Sequence, residues 1–491
     1  MLHPTRIPPV LPSVGVQPNF NPTKLATPPP SSATVTTMIE KMSHLHELLG
    51  SLQAFVATPG TAIFAATAIC SLIAAIHVFR AWWRLRHIPG PFLNSITPLV
   101  MTYHCFKEDV TTYTYNLTRK YGPLVRVQPN VVVYNDPETF RRICSVKADY
   151  TKGLWFEFSR WNLERYSCIA MRDNESRKER KTKLLPAASG PTPLSCGSPL
   201  LTMQQNQWAG QGLSVMEGRV DNQFYTLDVA TSATFGKPFG FLKKDGDVEK
   251  YLEITESMTP MFGILGTLPW LVYVMHAWPL NRMMPGEGDK VGFGRMMNVA
   301  GSETTSVALR MALLSILTTP SAYRKLQAEI DNFHADKAAE ADDKSVITYA
   351  DARTLPYLQA VIREALRLWP PSAGLFTKEV PKAGDSIHGY YLPPGTEVGQ
   401  CLSSVGKLPR IWGADADLFY PERWLEATPE KFEEMQAAVD LVFSSGKYVC
   451  LGKHIAWMEL LKFFAEVIGS LAWDPITWLT TDFWIRFTRR E

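Results

Sequence analysis

The longest apolar segment of the chain lies near its N-terminus, where no charged residue occurs between Ala54 and Phe79. A helix needs about 20 apolar residues to span a bilayer. Trp82 and Trp83 follow at a position suited to a membrane interface, and the arginines around them place the next part of the chain in the cytoplasm. We therefore predict a transmembrane anchor over residues 54–80. A buried core helix is the alternative, and these flanking residues disfavour it.

The chain before the anchor, residues 1–50, is rich in proline, serine and threonine over most of its length. Such a composition offers too little apolar surface to bury a core. We predict a disordered N-terminal extension there.

Beyond the anchor, short β patterns alternate with longer helical ones. Residues 121–127 and 131–134 predict two strands, and residues 387–396 predict a hairpin with a Pro-Gly turn. Further segments carry the capping signals or the apolar period of helices: residues 137–145, 174–184, 295–318 and 360–369. These patterns predict a mostly α fold with a small β region.

Two segments interrupt the pattern. Residues 186–212 are rich in proline, glycine, serine and glutamine and predict a loop or an ill-defined insert. Met261–Met275 is apolar but contains Pro269 and two glycines, so it is too short and too broken to span a membrane. We predict a helix pair there that lines a pocket or touches the bilayer surface.

Composition excludes several classes of protein. The chain has 491 residues, 46% of them hydrophobic, which is enough for a large core. Its net charge of +3 gives no electrostatic reason to bind nucleic acid. Seven dispersed cysteines argue against a disulfide framework or a structural zinc site. We expect the main domain to lie in the reducing cytosol.

The segment from Phe443 to Gly452 carries the strongest chemical signal. Cys450 stands at the start of an apolar helical pattern, and a helix N-terminus favours a thiolate. Gly446 and Gly452 allow the backbone to approach a flat group closely. A thiolate held in this way can ligate haem iron. A buried free cysteine is the alternative.

Three other motifs carry candidate chemistry. Ala300–Thr305 places an acid and two threonines after a glycine within a helical pattern, where a threonine hydroxyl can open the helix for a water. Glu364 and Arg367 share a helix face, and Arg423 offers a third partner if the cluster is buried. The basic helix over residues 174–184 is either a solvated face or a binding face for anionic groups.

In order and spacing, these motifs resemble those of a cytochrome P450. The anchor followed by Pro89-Gly90-Pro91 is similar to the microsomal type, and residues 446–453 resemble fungal members of the pisatin demethylase and benzoate para-hydroxylase kind. The resemblance implies a haem-thiolate monooxygenase domain over residues 85–491. It also implies haem b as cofactor.

The resemblance assigns expected roles to individual residues. Cys450 is expected to ligate the haem iron, in a loop shaped by Phe443 and Gly446. Glu303 and Thr304 match the acid–alcohol pair that supplies protons during oxygen activation. Glu364, Arg367 and Arg423 match a structural salt-bridge cluster. The expected contacts to the haem propionates are Lys378, Arg177 and Lys181, with Arg180 as the shifted alternative. Substrate-pocket candidates are Trp155, Phe156, Trp161 and Ser372–Phe376, although the two tryptophans are equally compatible with a plain core.

The chain also departs from the family pattern. Ser444 replaces a usual glycine and Tyr448 a usual arginine or histidine, so Lys378 and the basic helix must carry more of the propionate neutralisation. Around residues 290–300 the chain is shorter than the family pattern, and residues 186–212 replace expected helical chain. A misread exon boundary or a decayed gene would produce both atypical segments.

The resemblance implies that the protein inserts one oxygen atom from O2 into a small hydrophobic substrate, in fungal secondary metabolism. Electrons would come from NADPH through a separate NADPH-cytochrome P450 reductase. The expected location is the endoplasmic reticulum membrane, as a single-pass protein with a cytoplasmic catalytic domain and no nucleic-acid partner. The alternatives are a catalytically impaired membrane-anchored paralogue and a reductase-independent haem-thiolate isomerase or dehydratase.

Overall fold

The computed structural model describes residues 40–44, 46–47, 59–160, 168–189, 215–217, 221–283, 302–340, 347–372, 374–473 and 484–489. The chain divides into two compact units, Met1–Ala75 and Ile76–Glu491.

The apolar N-terminal segment forms helix α1, Pro59–Arg84. Among the described helices, only this one is long and apolar enough, over Ile63–Arg84, to cross a membrane. Its apolar side chains are largely exposed, with Ile69 58% and Leu72 61% accessible. An exposed apolar surface of this length needs an apolar environment. Membrane insertion of α1 stays a prediction.

The second unit is built mainly of helices. In chain order after α1 they are α2 Phe92–Ile96, α3 Leu99–Phe106, α4 Val110–Tyr121, α5 Pro137–Cys144, α6 Asn174–Ser189, α7 Asp221–Phe235, α8 Phe241–Lys244, α9 Tyr251–Thr267, α10 Trp270–Met275, α11 Ser302–Leu317, α12 Pro320–Glu340, α13 Tyr349–Ala352, α14 Pro356–Leu368, α15 Leu402–Val405, α16 Pro409–Trp412, α17 Arg423–Glu426, α18 Pro429–Val439 and α19 Lys453–Ser470. The predicted start of α5 is confirmed, because the Asp136 side chain accepts a hydrogen bond from the Thr139 amide at 2.7 Å. The helix pair predicted over Met261–Met275 is found at the end of α9 and in α10.

The strands are β1 Leu124–Gln128, β2 Val131–Tyr134, β3 Thr151–Lys152, β4 Val215–Glu217, β5 Lys378–Glu379, β6 Asp385–Ile387, β7 Tyr390–Leu392, β8 Glu397–Gln400, β9 Leu471–Trp473 and β10 Trp484–Arg489. The largest sheet has the order β1-β2-β8-β5-β3. β1 and β2 pair in antiparallel fashion, and β2 runs parallel to β8 with Val132 opposite Val398. The predicted mostly α fold with a small β region is confirmed.

The hairpin predicted over residues 387–396 is misplaced. β6 and β7 pair antiparallel and are joined at His388 and Gly389, whose φ angles of 49° and 81° suit a two-residue turn. The Pro394-Gly395 dipeptide instead turns the chain from β7 into β8 of the large sheet. The Pro-Gly signal marked a real turn, but the residues with positive φ determine where the hairpin reverses.

The main core brings together the helices that carry the predicted motifs. α11 contributes Leu309 and Leu313, both fully buried, and packs against α7, α14 and α19. Phe463 and Phe464 of α19 are also fully buried. This packing holds the start of α11 and the loop before α19 on one rigid framework.

The two atypical segments lie largely outside the described residues. Residues 186–189 continue α6 to Ser189, so the predicted loop does not begin at residue 186. Residues 190–214 and 284–301 are not described. The predictions for the remainder of the insert and for the shortened segment stay predictions.

Candidate active site

The loop before α19 is closed by its own backbone. The Cys450 amide donates to the Phe443 carbonyl oxygen at 2.8 Å, so the two ends of the loop meet. Gly446 has a φ of 51°, and a Cβ there would lie 2.2 Å from the carbonyl oxygen of Cys144. No other residue fits at Gly446 without moving the backbone. Ser444 has a φ of 62°, which explains why glycine suits its position and why serine is strained there.

The Cys450 side chain is reachable by solvent but has protein on most sides. These surroundings raise the pKa of the Cys450 thiol, while the amides of Gly452 and Lys453 act to lower it. The stabilising effect of the helix start, which the sequence predicts, is therefore present but is outweighed by burial. A cationic centre in contact with the sulfur would reverse that balance.

Positive side chains gather beside this loop. Arg177 is 5% exposed and donates to the Lys447 carbonyl oxygen at 2.7 Å, and Lys181 donates to the Val449 carbonyl oxygen at 3.0 Å. Lys378 is buried near them and donates to the Phe376 carbonyl oxygen at 2.7 Å. The structure thus brings together the three cations that the sequence assigned to propionates.

Two further cations belong to this cluster and were missed as propionate candidates. Lys152 donates to the carbonyl oxygens of Cys168 and Ile169 at 2.9 and 2.8 Å, and Lys447 donates to that of Tyr150 at 2.8 Å. Lys447 was visible in the loop motif, but no local sequence signal marks Lys152. It reaches the cluster only because β3 pairs with β5, opposite Lys378.

The cluster carries positive charge without a matching anion. Within the described residues, none of its five cations forms an ion pair with a carboxylate. Burial and the neighbouring cations lower the pKa of Lys152 to about 7 and that of Lys378 to about 8. The Nε of Arg177 is buried without a hydrogen-bond partner. The site therefore fits an anionic ligand that the protein itself does not provide.

Tyr448 lies between two of these cations. Its ring centroid is 4.4 Å from the Arg177 guanidinium carbon and 4.8 Å from Lys378 Nζ. Its hydroxyl donates to the Tyr150 carbonyl oxygen at 2.8 Å. The residue that departs from the family pattern thus replaces a charge with an aromatic face that holds two charges in place.

Glu303 and Thr304 lie in the first turn of α11, and their side chains point in different directions. Thr304 is exposed, whereas Glu303 Oε2 accepts a hydrogen bond from Gln223 of α7 at 2.6 Å. Glu303 Oε1 is buried and has no partner. Burial raises the pKa of Glu303, and the bond from Gln223 acts to lower it. Because the chain is described only from Ser302, the predicted opening within a longer helix stays a prediction.

The next residue, Thr305, connects α11 to α19. It hydrogen-bonds to Glu459, which lies nine positions after Cys450 and is 3% exposed. Burial raises the pKa of Glu459 to about 8. This contact links the two helices on which the site is built.

We expect Glu459→Gln to increase stability in a pH-dependent way. An exposed glutamate has a pKa of about 4.3, so between about pH 4.5 and 8 the folded protein keeps a proton that the unfolded chain releases. The stability of the wild type therefore falls as pH rises through this window, and glutamine removes that loss. Denaturant titrations should show similar stability at pH 4.5 and a more stable variant at pH 8. A pH-independent difference, or the same gain in the exposed control Glu253→Gln, would contradict the assignment.

The structure also brings together Glu364, Arg367 and Arg423. Glu364 and Arg367 are both fully buried, with Arg367 Nη2 2.7 Å from Glu364 Oε1. Arg423 Nε reaches the same oxygen at 2.9 Å, and Trp424 Nε1 donates to Oε2 at 3.0 Å. The other donors of Arg367 bind the carbonyl oxygens of Gly406, Ala416 and Leu418. The third partner that makes such a pair structurally important is therefore present and buried.

The aromatic pocket candidates are core residues in the described structure. Trp155 and Phe156 are 8% and 6% exposed, and the ring centroid of Trp155 lies 4.7 Å from that of Phe376. A Cβ at Gly266 or Gly374 would collide with the Trp155 ring. Trp161 and Ala373 lie outside the described residues. Trp155 is therefore a packing residue, which was the alternative interpretation of its sequence.

The chain is similar in sequence to known proteins of one family. The cytochrome P450 family model matches residues 294–478. Cytochrome P450 monooxygenase abl1 of Leptosphaeria maculans is 31% identical over 443 residues, which cover 78% of this chain and 76% of that protein. Cytochrome P450 monooxygenase aba1 of Botryotinia fuckeliana is 29% identical, covering 79% of this chain and 86% of that protein. The chain belongs to the cytochrome P450 family.

Haem b is the cofactor of cytochromes P450, and the donor set of this site fits it. A cysteine stands in a tight glycine-containing loop, and beside it lie buried and half-buried cations that form no ion pair within the described residues. A thiolate suits ferric or ferrous iron, and the cations suit two carboxylates. As a cytochrome P450 the protein is an oxidoreductase of the monooxygenase class, which works with a redox partner reductase and an organic substrate.

Proposed function

We propose that this chain inserts one oxygen atom from O2 into a small hydrophobic substrate, in fungal secondary metabolism. The observation that carries the proposal is the closed loop of Cys450 beside a cluster of cations that form no ion pair with a carboxylate of the described residues. Haem b, when bound, supplies the oxygen-activating chemistry. Electrons come from NADPH through NADPH-cytochrome P450 reductase.

In this proposal the residues around the loop hold the cofactor. Cys450 would provide the iron ligand, while Gly446 and Phe443 set the loop conformation that presents it. Arg177, Lys181 and Lys378, together with Lys152 and Lys447, would bind the propionates. The Nε of Arg177 has no other use in the described structure. Binding of two carboxylates would raise the lowered pKa values of Lys152 and Lys378 towards their usual range.

Glu303 and Thr304 would handle protons on the substrate side. The exposed Thr304 hydroxyl can hold a proton at Oγ1, and Glu303 keeps Oε1 free of other partners. The two side chains diverge, so a water would have to connect them. Glu364, Arg367 and Arg423 serve the framework and touch no reacting group.

We expect Thr304→Ala to retain the reduced carbon monoxide spectrum but to divert NADPH electrons from product to hydrogen peroxide. The alanine keeps the helix and removes the hydroxyl that holds the proton, together with the γ-methyl group. The measurement is the ratio of peroxide formed to NADPH consumed in the protein reconstituted with reductase. Thr318→Ala, at the exposed far end of α11, is the control. An unchanged ratio in Thr304→Ala would contradict the proton-handling role.

The same reconstitution tests the proposed function as a whole. A thiolate-type band in the reduced carbon monoxide difference spectrum with NADPH-dependent oxygen consumption supports a monooxygenase. Haem uptake without NADPH consumption would indicate an isomerase or dehydratase. Failure to take up haem would indicate an impaired paralogue.

We further propose that the protein is a single-pass protein of the endoplasmic reticulum membrane with its catalytic domain in the cytoplasm. Helix α1 supports this, as do exposed apolar residues of the catalytic unit. Phe92 of α2 and Phe106 of α3 are 66% and 67% exposed, and Trp270 of α10 is 58% exposed. α3 and α10 both pack against α9.

We expect a double arginine substitution in α1, at Ile69 and Ile73, to release the protein from microsomes on alkaline extraction. Each arginine near the bilayer centre costs about 2.5–3.5 kcal/mol. The wild type should stay in the membrane pellet, and external protease should digest its catalytic domain in intact microsomes. Leu418→Arg, at a surface site 63% exposed, should extract like the wild type. Protection of the domain from protease would contradict the proposed topology.

A further inference from the structure

Gln223 occupies an unusual position for a glutamine. It lies near the start of α7, is 2% exposed, and its Nε2 donates to Glu303 Oε2 at 2.6 Å. α7 packs directly against α11, so the amide comes from a different helix. No motif described above includes Gln223.

The contact leaves the carboxyl of Glu303 asymmetric. One oxygen is held by Gln223, whereas Oε1 is buried and has no partner among the described residues. Two charged residues also act on this carboxyl: Arg310 on the same helix favours the carboxylate and Glu256 on α9 disfavours it. Among the described groups that act on the Glu303 carboxyl, Gln223 is the neutral one.

A neutral amide can serve both protonation states of an acid. Its NH2 group donates to a carboxylate oxygen, and it still donates to Oε2 when the proton is on Oε1, because Oε2 is then the carbonyl oxygen of the acid. A lysine or arginine at this position would instead hold the acid in its charged state. A glutamine can thus keep the acid in one place while a proton comes and goes.

We propose that Gln223 is the positioning residue of Glu303, holding Oε2 in both protonation states and leaving Oε1 as the atom that exchanges the proton. The inference rests on the proposed function, because it assumes that Glu303 handles protons in turnover. In this step the O–H bond at Oε1 breaks as an O–H bond to a water forms, and the return step reverses both changes. Because the two side chains diverge, this water has to connect Oε1 with the Thr304 hydroxyl.

The test uses the reconstituted holoenzyme with reductase and NADPH, without an organic substrate. The fraction of NADPH electrons recovered as hydrogen peroxide is measured against pH. Gln223→Met removes a donor that favours the Glu303 carboxylate. The pH midpoint of the peroxide fraction should therefore rise by roughly one pH unit. Thr226→Val is the control, since its buried hydroxyl lies on the same helix and bonds only to the Gln223 backbone oxygen. Its midpoint should match that of the wild type.

The double variant distinguishes a failure of the role proposed for Gln223 from a failure of the proposed function. In a Glu303→Gln background the pH midpoint should disappear, and Gln223→Met should then change nothing. A shifted profile in Glu303→Gln with an unchanged midpoint in Gln223→Met would overturn the role of Gln223 alone. A wild type without NADPH consumption, or a Glu303→Gln variant with the wild-type profile, would overturn the proposed function and this inference together. If Gln223→Met folds poorly, Gln223→Leu replaces it. The infrared carbonyl band of protonated Glu303 can then be assigned by difference against Glu303→Gln. Its titration with pH should show the same midpoint shift without turnover.

Discussion

Cys450→Ala is expected to abolish the thiolate-type band in the reduced carbon monoxide difference spectrum. Alanine keeps the loop closed, because the bond to the Phe443 carbonyl oxygen comes from the backbone amide of residue 450. Only the sulfur is lost, and no other described cysteine lies in this loop. The expected loss is therefore complete, while far-ultraviolet circular dichroism should show that the helices remain. The spectrum is recorded on membranes and on purified protein.

Cys168→Ala is the matched control for this variant. Its backbone oxygen accepts from Lys152 beside the cation cluster, but its thiol has no assigned role. The control should keep the band at wild-type intensity. A band that survives in Cys450→Ala would show that another group ligates the iron, and loss of the band in both variants would point to a folding defect.

The parts of the site that lie close together in sequence could be predicted. The loop from Phe443 to Cys450 is local: its glycine, its cysteine and the helix after it occur within a few residues. The Glu364–Arg367 pair follows from helical spacing, and only its third partner required a motif from elsewhere in the chain. Local geometry can be inferred from spacing because one backbone conformation determines it.

The parts that depend on packing between distant segments could not be predicted. Gln223 reaches Glu303 because α7 packs on α11, and Lys152 reaches Lys378 because β3 pairs with β5. Neither contact follows from a regular spacing of residues in the sequence. The pKa of the Cys450 thiol could not be predicted for the same reason. The sequence indicates a helix start, which lowers this pKa, but not the burial that outweighs it. The hairpin was misplaced because a Pro-Gly dipeptide is a stronger turn signal than His388-Gly389, although the latter pair adopts the positive φ angles.

Glu364→Gln is expected to lower the free energy of unfolding by about 3–5 kcal/mol, because it leaves two guanidinium groups without their shared buried carboxylate. Glutamine preserves the volume, so the loss reports charge and hydrogen bonding. This is a large fraction of the 5–15 kcal/mol that stabilises a typical protein. Arg423 keeps a partial counterion in Asp415 at 2.9 Å, whereas Arg367 keeps only carbonyl oxygens. The loss in free energy of unfolding should therefore come mainly from Arg367.

Urea unfolding of the purified protein, followed by tryptophan fluorescence, measures this loss, and Trp412 and Trp424 lie beside the cluster. Glu179→Gln is the control, because its pair with Lys183 is exposed and its loss should leave the midpoint unchanged. Haem content should fall in Glu364→Gln only as far as the folded fraction falls, since the cluster touches no proposed haem contact. If haem is lost while the unfolding midpoint is unchanged, the cluster acts on the cofactor site directly and the framework assignment is wrong.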